Sequence, residues 1–266
     1  MIASANGRPR WAGSLAATGL GLLCSATLAH ASAGAGSGAP ASTVEVLLRW
    51  LPFLLQGFAF NLVISALAMA FGTLLGALLG LGLIGRSRAV RLLSGWTMNL
   101  FRNAPRLVIL FMCMYLIPFR FRLGGETIVL AGWAKAVLGL SLAVMANVAE
   151  IVRGAVQSVP TTQWEAGEAF AFGRRQILWS IILPQCAKRM LPPWMSLYAI
   201  ITMDTVLVSI LGIGEVMTLT GEALSAENRP DLLLPFYGFV LLLFFAYCYP
   251  IARWTARLER RYAVVG

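Results

Sequence analysis

The ionisable residues that could do chemistry in this chain are few and widely spaced. Asp204 is followed by Thr205 and Ser209 in an otherwise apolar stretch. An ionisable group inside a membrane span is costly and is by default a candidate for a substrate or ion path. The alternative is a carboxylate satisfied locally by a backbone amide or by Thr205. Glu150 and Arg153 stand at i, i+3 spacing and read as a local ion pair on one helix face. The single histidine, His30, lies near the N-terminus in a stretch that reads as a removable segment, which leaves no histidine acid–base chemistry for the mature chain. Cys24, Cys113, Cys186 and Cys248 are scattered and read as small packing residues, not as a metal or disulfide framework. Neither Lys135 nor Lys188 follows a glycine, so the usual phosphate-cradling loop is missing and any ATP hydrolysis belongs to another subunit. An intramembrane enzyme would need a His, Cys or carboxylate cluster that is not there.

The remaining polar constellation suits docking. Gln163-Trp164-Glu165-Ala166-Gly167, continuing through Ala171 and Gly173 to Ile181-Ile182-Leu183-Pro184, is a polar, basic island of helical sequence between apolar segments. Thr162-x-x-Glu165 fits a capping box and predicts a helix over 163–172, with Gly173 as its left-handed stop. A second helical stretch, Arg174 to Leu183, returns toward the membrane and is interrupted by Pro184. A helix of about ten residues does not hold alone in water, so this one must dock on its own chain or on a partner. Trp164 and Phe172 give it one aromatic side, and Ala166, Gly167, Ala169 and Ala171 make the rest smooth. The alternative is a surface helix in the lipid headgroups, anchored by Trp164 and Trp179.

The elements that position these residues are apolar helices. Apolar residues make up 59% of the 266 and charged residues only 12%, about half the share usual in soluble domains. The net charge of +10 could suggest nucleic acid, but the basic residues sit at the ends of apolar runs, where they set membrane topology. The expected fold is an all-α polytopic membrane protein with five spans, about Gly57–Ile84, Leu107–Phe119, Ile128–Ile151, Met195–Val216 and Leu232–Ile251. In the first, Gly72, Gly76 and Gly80 repeat every four residues and leave a flat strip for another helix backbone.

Residues 1–33 read as a signal-peptide-like segment, with an uncleaved extra transmembrane helix as the alternative. Residues 34–50 follow as a periplasmic linker, 51–261 form the transmembrane domain with its polar island at 153–192, and 262–266 are a tail. The loop after span one, the island and the tail hold fourteen Arg or Lys residues. That asymmetry predicts a periplasmic N-terminus and a cytoplasmic C-terminus in a bacterial inner membrane.

Seven short motifs occur in order: Leu54-Leu55-Gln56-Gly57, Phe101-Arg102-Asn103-Ala104-Pro105, Ala149-Glu150-Ile151-Val152-Arg153-Gly154-Ala155, Gln157-Ser158-Val159-Pro160, Gln163-Trp164-Glu165-Ala166, Ile182-Leu183-Pro184-Gln185 and Asp204-Thr205-x-Leu207-Val208-Ser209. With them the chain resembles, from Leu54 to Arg261, the permease subunit of bacterial ABC importers for polar amino acids, the group serving histidine, arginine, glutamine, glutamate and opines. The resemblance implies the type I importer permease fold and makes the island a coupling loop whose short helix sits in a cleft of a separate ATPase. Glu165, Ala166, Leu183 and Pro184 match that loop. Gly167 stands where its second alanine is usual, and Ala171 where its glycine is usual, with Gly173 two residues later. Both changes keep the surface small. The family's Lys-Asp-Thr becomes Met203-Asp204-Thr205, which loses a cation. The resemblance further implies an ATPase partner that binds ATP and Mg, a second permease subunit (identical or paralogous) and a periplasmic binding protein, with no cofactor in this chain. The competing class, a stand-alone ion-coupled transporter, would need inverted repeats or several buried ionisable residues.

Overall fold

The computed structural model describes residues 42–123 and 126–262; the signal-like segment, Cys24 and His30 lie outside them. Helix α1, Thr43–Ile84, is 42 residues long and apolar on almost every side. It begins well before Gly57 because its first turns are packed: Trp50, Phe53 and Leu54 bury against Leu219, Leu232 and Phe236. Ser42 caps its start by accepting the Glu45 N–H. Nearby, Glu227 pairs with Arg49 and accepts the Trp50 Nε1–H at 2.8 Å.

After α2, Arg88–Asn103, Pro105 breaks the chain before α3, Arg106–Leu116. At 11 residues α3 is roughly 16 Å long, too short to cross a bilayer core alone. Four helical stretches among the described residues are long and apolar enough to do so: Thr43–Ile84, Gly132–Gln157, Arg174–Leu211 and Pro230–Arg261. The second expected span is therefore a half-length helix entered through a proline break.

A β-hairpin follows, β1 (Arg120–Leu123) with β2 (Glu126–Val129), pairing Arg120 with Val129 and Leu123 with Glu126. The third span was expected to begin at Ile128. That residue lies in β2, and α4 runs Gly132–Gln157. Lys135, inside this helix, is fully buried and has no carboxylate partner among the described residues. Its ammonium donates to the carbonyls of Met114 at 3.1 Å and Ile117 at 2.6 Å, and stands 3.0 Å over the Phe119 ring. Carbonyls at a helix end have no intrahelical partner, so Lys135 supplies the cap that α3 lacks.

Helix α4 is the central element, and its pairing with α1 is the most extensive in the molecule. Gly72, Gly76 and Gly80 face Val144, Val148 and Val152; a Cβ at Gly76 would lie 2.6 Å from Val148 Cβ, and at Gly80 2.7 Å from Val152 Cβ. On another side Gly139 lets α3 approach, with Leu110 Cδ2 3.0 Å from where a Cβ would stand.

Beyond α4 come α5 (Thr161–Ala169), α6 (Arg174–Ile177), a π-helical turn (Leu178–Ile182) and α7 (Leu183–Asp204). The expected fourth span, Met195–Val216, is not one helix. Past Asp204 it tightens to a 3₁₀ segment, Thr205–Leu211, and ends where Gly212 turns left-handed at φ 72°. Helix α8, Val216–Glu227, then starts separately, and α9, Leu233–Tyr262, closes the fold.

The glycine strip yields a direct test. Gly76→Leu must displace Val148 and the Met145 carbonyl, an overpacking of at least ~2 kcal/mol. It should abolish a monodisperse gel-filtration peak, whereas Gly154→Ala, with nothing within 4 Å of the new Cβ, should leave that peak unchanged.

Candidate functional site

The polar island folds into a fastened, outward-pointing turn. Pro160 precedes the first helical residue, so α5 begins at Thr161 with no side-chain cap. Thr162 therefore sits inside the first turn, and the expected capping box with Glu165 does not form. Proline fixes its own φ near the helical value, which lets it start the helix one residue before Thr162 could cap it.

The other end also differs from expectation. The helix ends at Ala169, and the left-handed residue is Ala171 at φ 57°, not Gly173. The N–H of Phe172 donates to the Gly167 carbonyl at 3.1 Å and that of Ala171 to the Glu168 carbonyl at 2.8 Å. This is the Schellman pattern, with alanine where glycine usually stands. A left-handed alanine costs about 1 kcal/mol, which packing must hold in place. Gly173, at φ −66°, instead leads into α6.

That packing is found at Gly167. It is the one buried residue of α5, and an added Cβ would meet Ile177 Cγ1 at 2.8 Å. Ile177 lies in a cluster with Ala155, Val156, Val159, Ile182 and Cys186, onto which Trp164 packs. Gly167 therefore serves the turn's own seat and contributes nothing to its outer surface. Two further ties hold the seat. Arg189 donates to the Ser158 carbonyl at 2.6 Å and its hydroxyl at 2.9 Å, and Gln185 donates to Gln163 Oε1 at 3.4 Å. Pro184 does not interrupt the returning helix: the wider winding of Leu178–Ile182 just before it carries the chain through. Leu183 is half-buried beneath the turn and Pro184 is exposed on it.

The outer surface is formed by Glu165, Ala166, Ala169, Phe170, Ala171 and Phe172, all exposed. Glu165 has no ion-pair partner among the described residues. Phe170 is 75% exposed, its ring 6.2 Å from that of Phe172. Phe170 was missed in sequence because a helix running to 172 hides the kink that throws it outward.

The residues proposed for a path separate into two groups. Asp204 forms an ion pair with Arg106, the first residue of α3 after the proline break. The alternative expected for Asp204, a local backbone amide or Thr205, is replaced by this partner from a distant helix. Thr205 is buried elsewhere, donating to the Thr202 carbonyl at 2.6 Å and accepting from Asn61 Nδ2 at 2.9 Å. The same Asn61 amide donates to Glu215 at 2.9 Å, while its oxygen accepts the Val216 N–H at 3.1 Å. Glu215, fully buried, also accepts the N–H groups of Met217 and Thr218 at the start of α8. The Ser209 hydroxyl donates to the Val206 carbonyl of its own turn, and its carbonyl accepts the Gly212 N–H. The expected Glu150–Arg153 pair is present at 2.6 Å, with Arg102 3.5 Å away as a second cation.

Residues 72–264 match the family described as the binding-protein-dependent transport system inner membrane component. The chain belongs to that family. Curated relatives carry amino-acid transporter names. The inner membrane amino-acid ABC transporter permease protein YhdY of Escherichia coli (strain K12) is 30% identical over 206 residues, covering 77% of this chain and 55% of that protein. The L-cystine transport system permease protein TcyB of Bacillus subtilis (strain 168) is 28% identical, covering 84% of this chain and 94% of that one. Among solved structures, an amino acid ABC transporter crystallised with histidines superposes with a TM-score of 0.71 at 20% identity, covering 84% of this chain and all of that one. An inward-facing MetNI methionine ABC transporter gives 0.60 at 18% identity. These likenesses establish the type I importer permease fold expected from the sequence.

The geometry of this family member's turn orders three substitutions in thermal unfolding of the purified chain. Ala171→Gly should stabilise by up to about 1 kcal/mol. Gly173→Ala should be neutral, since φ is ordinary and nothing lies within 4 Å. Gly167→Ala should destabilise by ~1–3 kcal/mol by pushing α5 off Ile177.

Proposed function

We propose that this chain is the transmembrane subunit of an ATP-driven importer that carries polar amino acids or opine-like derivatives from the periplasm to the cytoplasm. A separate ATPase, which binds ATP and Mg, drives it through the loop 163–184. A second permease subunit completes the pathway and an external binding protein delivers the substrate. In this reading the N-terminus is periplasmic and the C-terminus cytoplasmic, so that the turn faces the ATPase.

The observation that carries the reading is the turn itself. A short helix seated on its own chain through Gly167 and Ile177 presents Glu165, Ala166 and Phe170 as exposed residues, Glu165 with no ion-pair partner among the described residues. Small residues let a partner approach, exposed aromatics supply buried area, and an unpaired carboxylate supplies charge register. The amino-acid names of the relatives support the substrate class. Asp204, Thr205 and Ser209 remain the candidates for the path, and of these Asp204 is the one whose charge could be exchanged between Arg106 and a passing cationic group.

Glu165→Lys reverses an exposed charge on the turn that has no ion-pair partner among the described residues, without touching the seat at Gly167. In membrane vesicles with the ATPase present, it should lower amino acid uptake at least tenfold while membrane insertion and yield stay at wild-type levels. Uptake at the wild-type rate would refute the assignment of this turn.

A further inference from the structure

A cavity of about 540 Å³ opens between the end of α1, the start of α2 and the inner side of the α5–α6 turn. Arg86, Arg91 and Arg174 line it, and no aspartate or glutamate does. These three guanidinium groups have no carboxylate partner among the described residues, unlike Arg49, Arg102, Arg106, Arg153 and Arg229, each of which has one. Arg174 is held in place by the Trp164 ring, 5.3 Å from its guanidinium carbon to the centroid. Three cations around one cavity repel one another, and a bound anion would reverse the sign of that interaction.

Leu83, Ile84, Val156, Val159 and Leu178 give the cavity an apolar wall, and Gln157 and Thr161 add neutral polar groups beside the arginines. Outside the cavity the apolar surface continues along α2, where Leu92, Leu93 and Trp96 are each more than 60% exposed. The cavity also lies where the apolar run of α1 gives way to Gly85 and Arg86, and basic residues next to an apolar span attract anionic headgroups. Guanidinium groups match phosphate oxygens in bidentate geometry. A free phosphate would use the cations and leave the apolar wall wet; an anionic phospholipid uses both.

We infer that this cavity is a binding site for the phosphate headgroup of an anionic phospholipid, held by Arg86, Arg91 and Arg174. A lipid there joins the α1–α2 corner to the turn that carries Trp164, so it steadies the base of α5. The inference rests on the cavity and does not depend on what the chain transports.

The test is native mass spectrometry of the full-length chain in detergent, titrated with phosphatidylglycerol or phosphatidylcholine, with inorganic phosphate as competitor. The wild type should retain one phosphatidylglycerol per chain in preference to phosphatidylcholine, and inorganic phosphate should not displace it. Each arginine near a headgroup is worth about fivefold in affinity, so Arg86→Gln/Arg91→Gln/Arg174→Gln together should weaken phosphatidylglycerol binding about 100-fold. Arg257→Gln/Arg260→Gln, on the exposed end of α9, should change nothing. If the triple variant is not monodisperse, Arg91→Gln alone carries the test at about fivefold. Equal binding of the two lipids, equal loss in the α9 control, or displacement by inorganic phosphate would overturn the proposal. So would intact lipid binding by the triple variant together with lost co-purification of an ATPase, which would assign the cations to a protein interface.

Discussion

The close approach of α1 and α4 is the contact on which the rest of the molecule depends. Hydrocarbon offers no hydrophobic drive between helices, so association rests on backbone proximity and packing. Gly72, Gly76 and Gly80 bring α1 against Val144, Val148 and Val152. With that seam fixed, α3 docks through Gly139, and α7 packs Leu197 and Ile201 into the same core. At one end the seam leads to the cluster under Gly167; toward the other, α1 continues into the contact with Leu219 and Phe236.

Charge inside this frame follows a consistent rule. Lys135 meets the orphan carbonyls at the end of α3, and Glu215 meets the orphan amides at the start of α8, so two buried ions are neutralised by helix ends. Asn61 bridges Glu215 to Thr205 and fixes the point where α7 gives way to 3₁₀ winding. Asp204 has Arg106, and Glu150 has Arg153 and Arg102. Among the described residues, the ions left unpaired include Glu165, Arg86, Arg91 and Arg174, gathered on and behind the α5 turn. Groups satisfied within the chain hold the scaffold, and the unsatisfied ones mark where other molecules are expected.

Features set by local pattern were legible in the sequence. The glycine strip, the long apolar helices and the i, i+3 pair of Glu150 and Arg153 are each determined by residues a few positions apart. Partners distant in the chain were not legible. Asp204 and Arg106 meet only because Pro105 ends α2 and starts α3 beside the end of α7. The turn failed in sequence for a related reason. Propensity assigns a left-handed residue to Gly173, but the contact of Gly167 with Ile177 fixes where α5 must end, and Ala171 takes the strained position. Family resemblance pointed to position 171 as the usual glycine, a signal that outranked propensity. Pro184 misled because a proline reads as a break unless a π turn is known to precede it.

On the proposed reading, transport is powered by a separate ATPase seated on the α5 turn. That coupling is tested most directly by reconstituting the chain with the ATPase that co-purifies with it and measuring uptake of labelled polar amino acids into proteoliposomes under two energy sources. Uptake should require ATP on the side of the turn, stop when hydrolysis is blocked, and persist after ion gradients are collapsed. Uptake driven by an ion gradient without ATP or an ATPase would contradict the account.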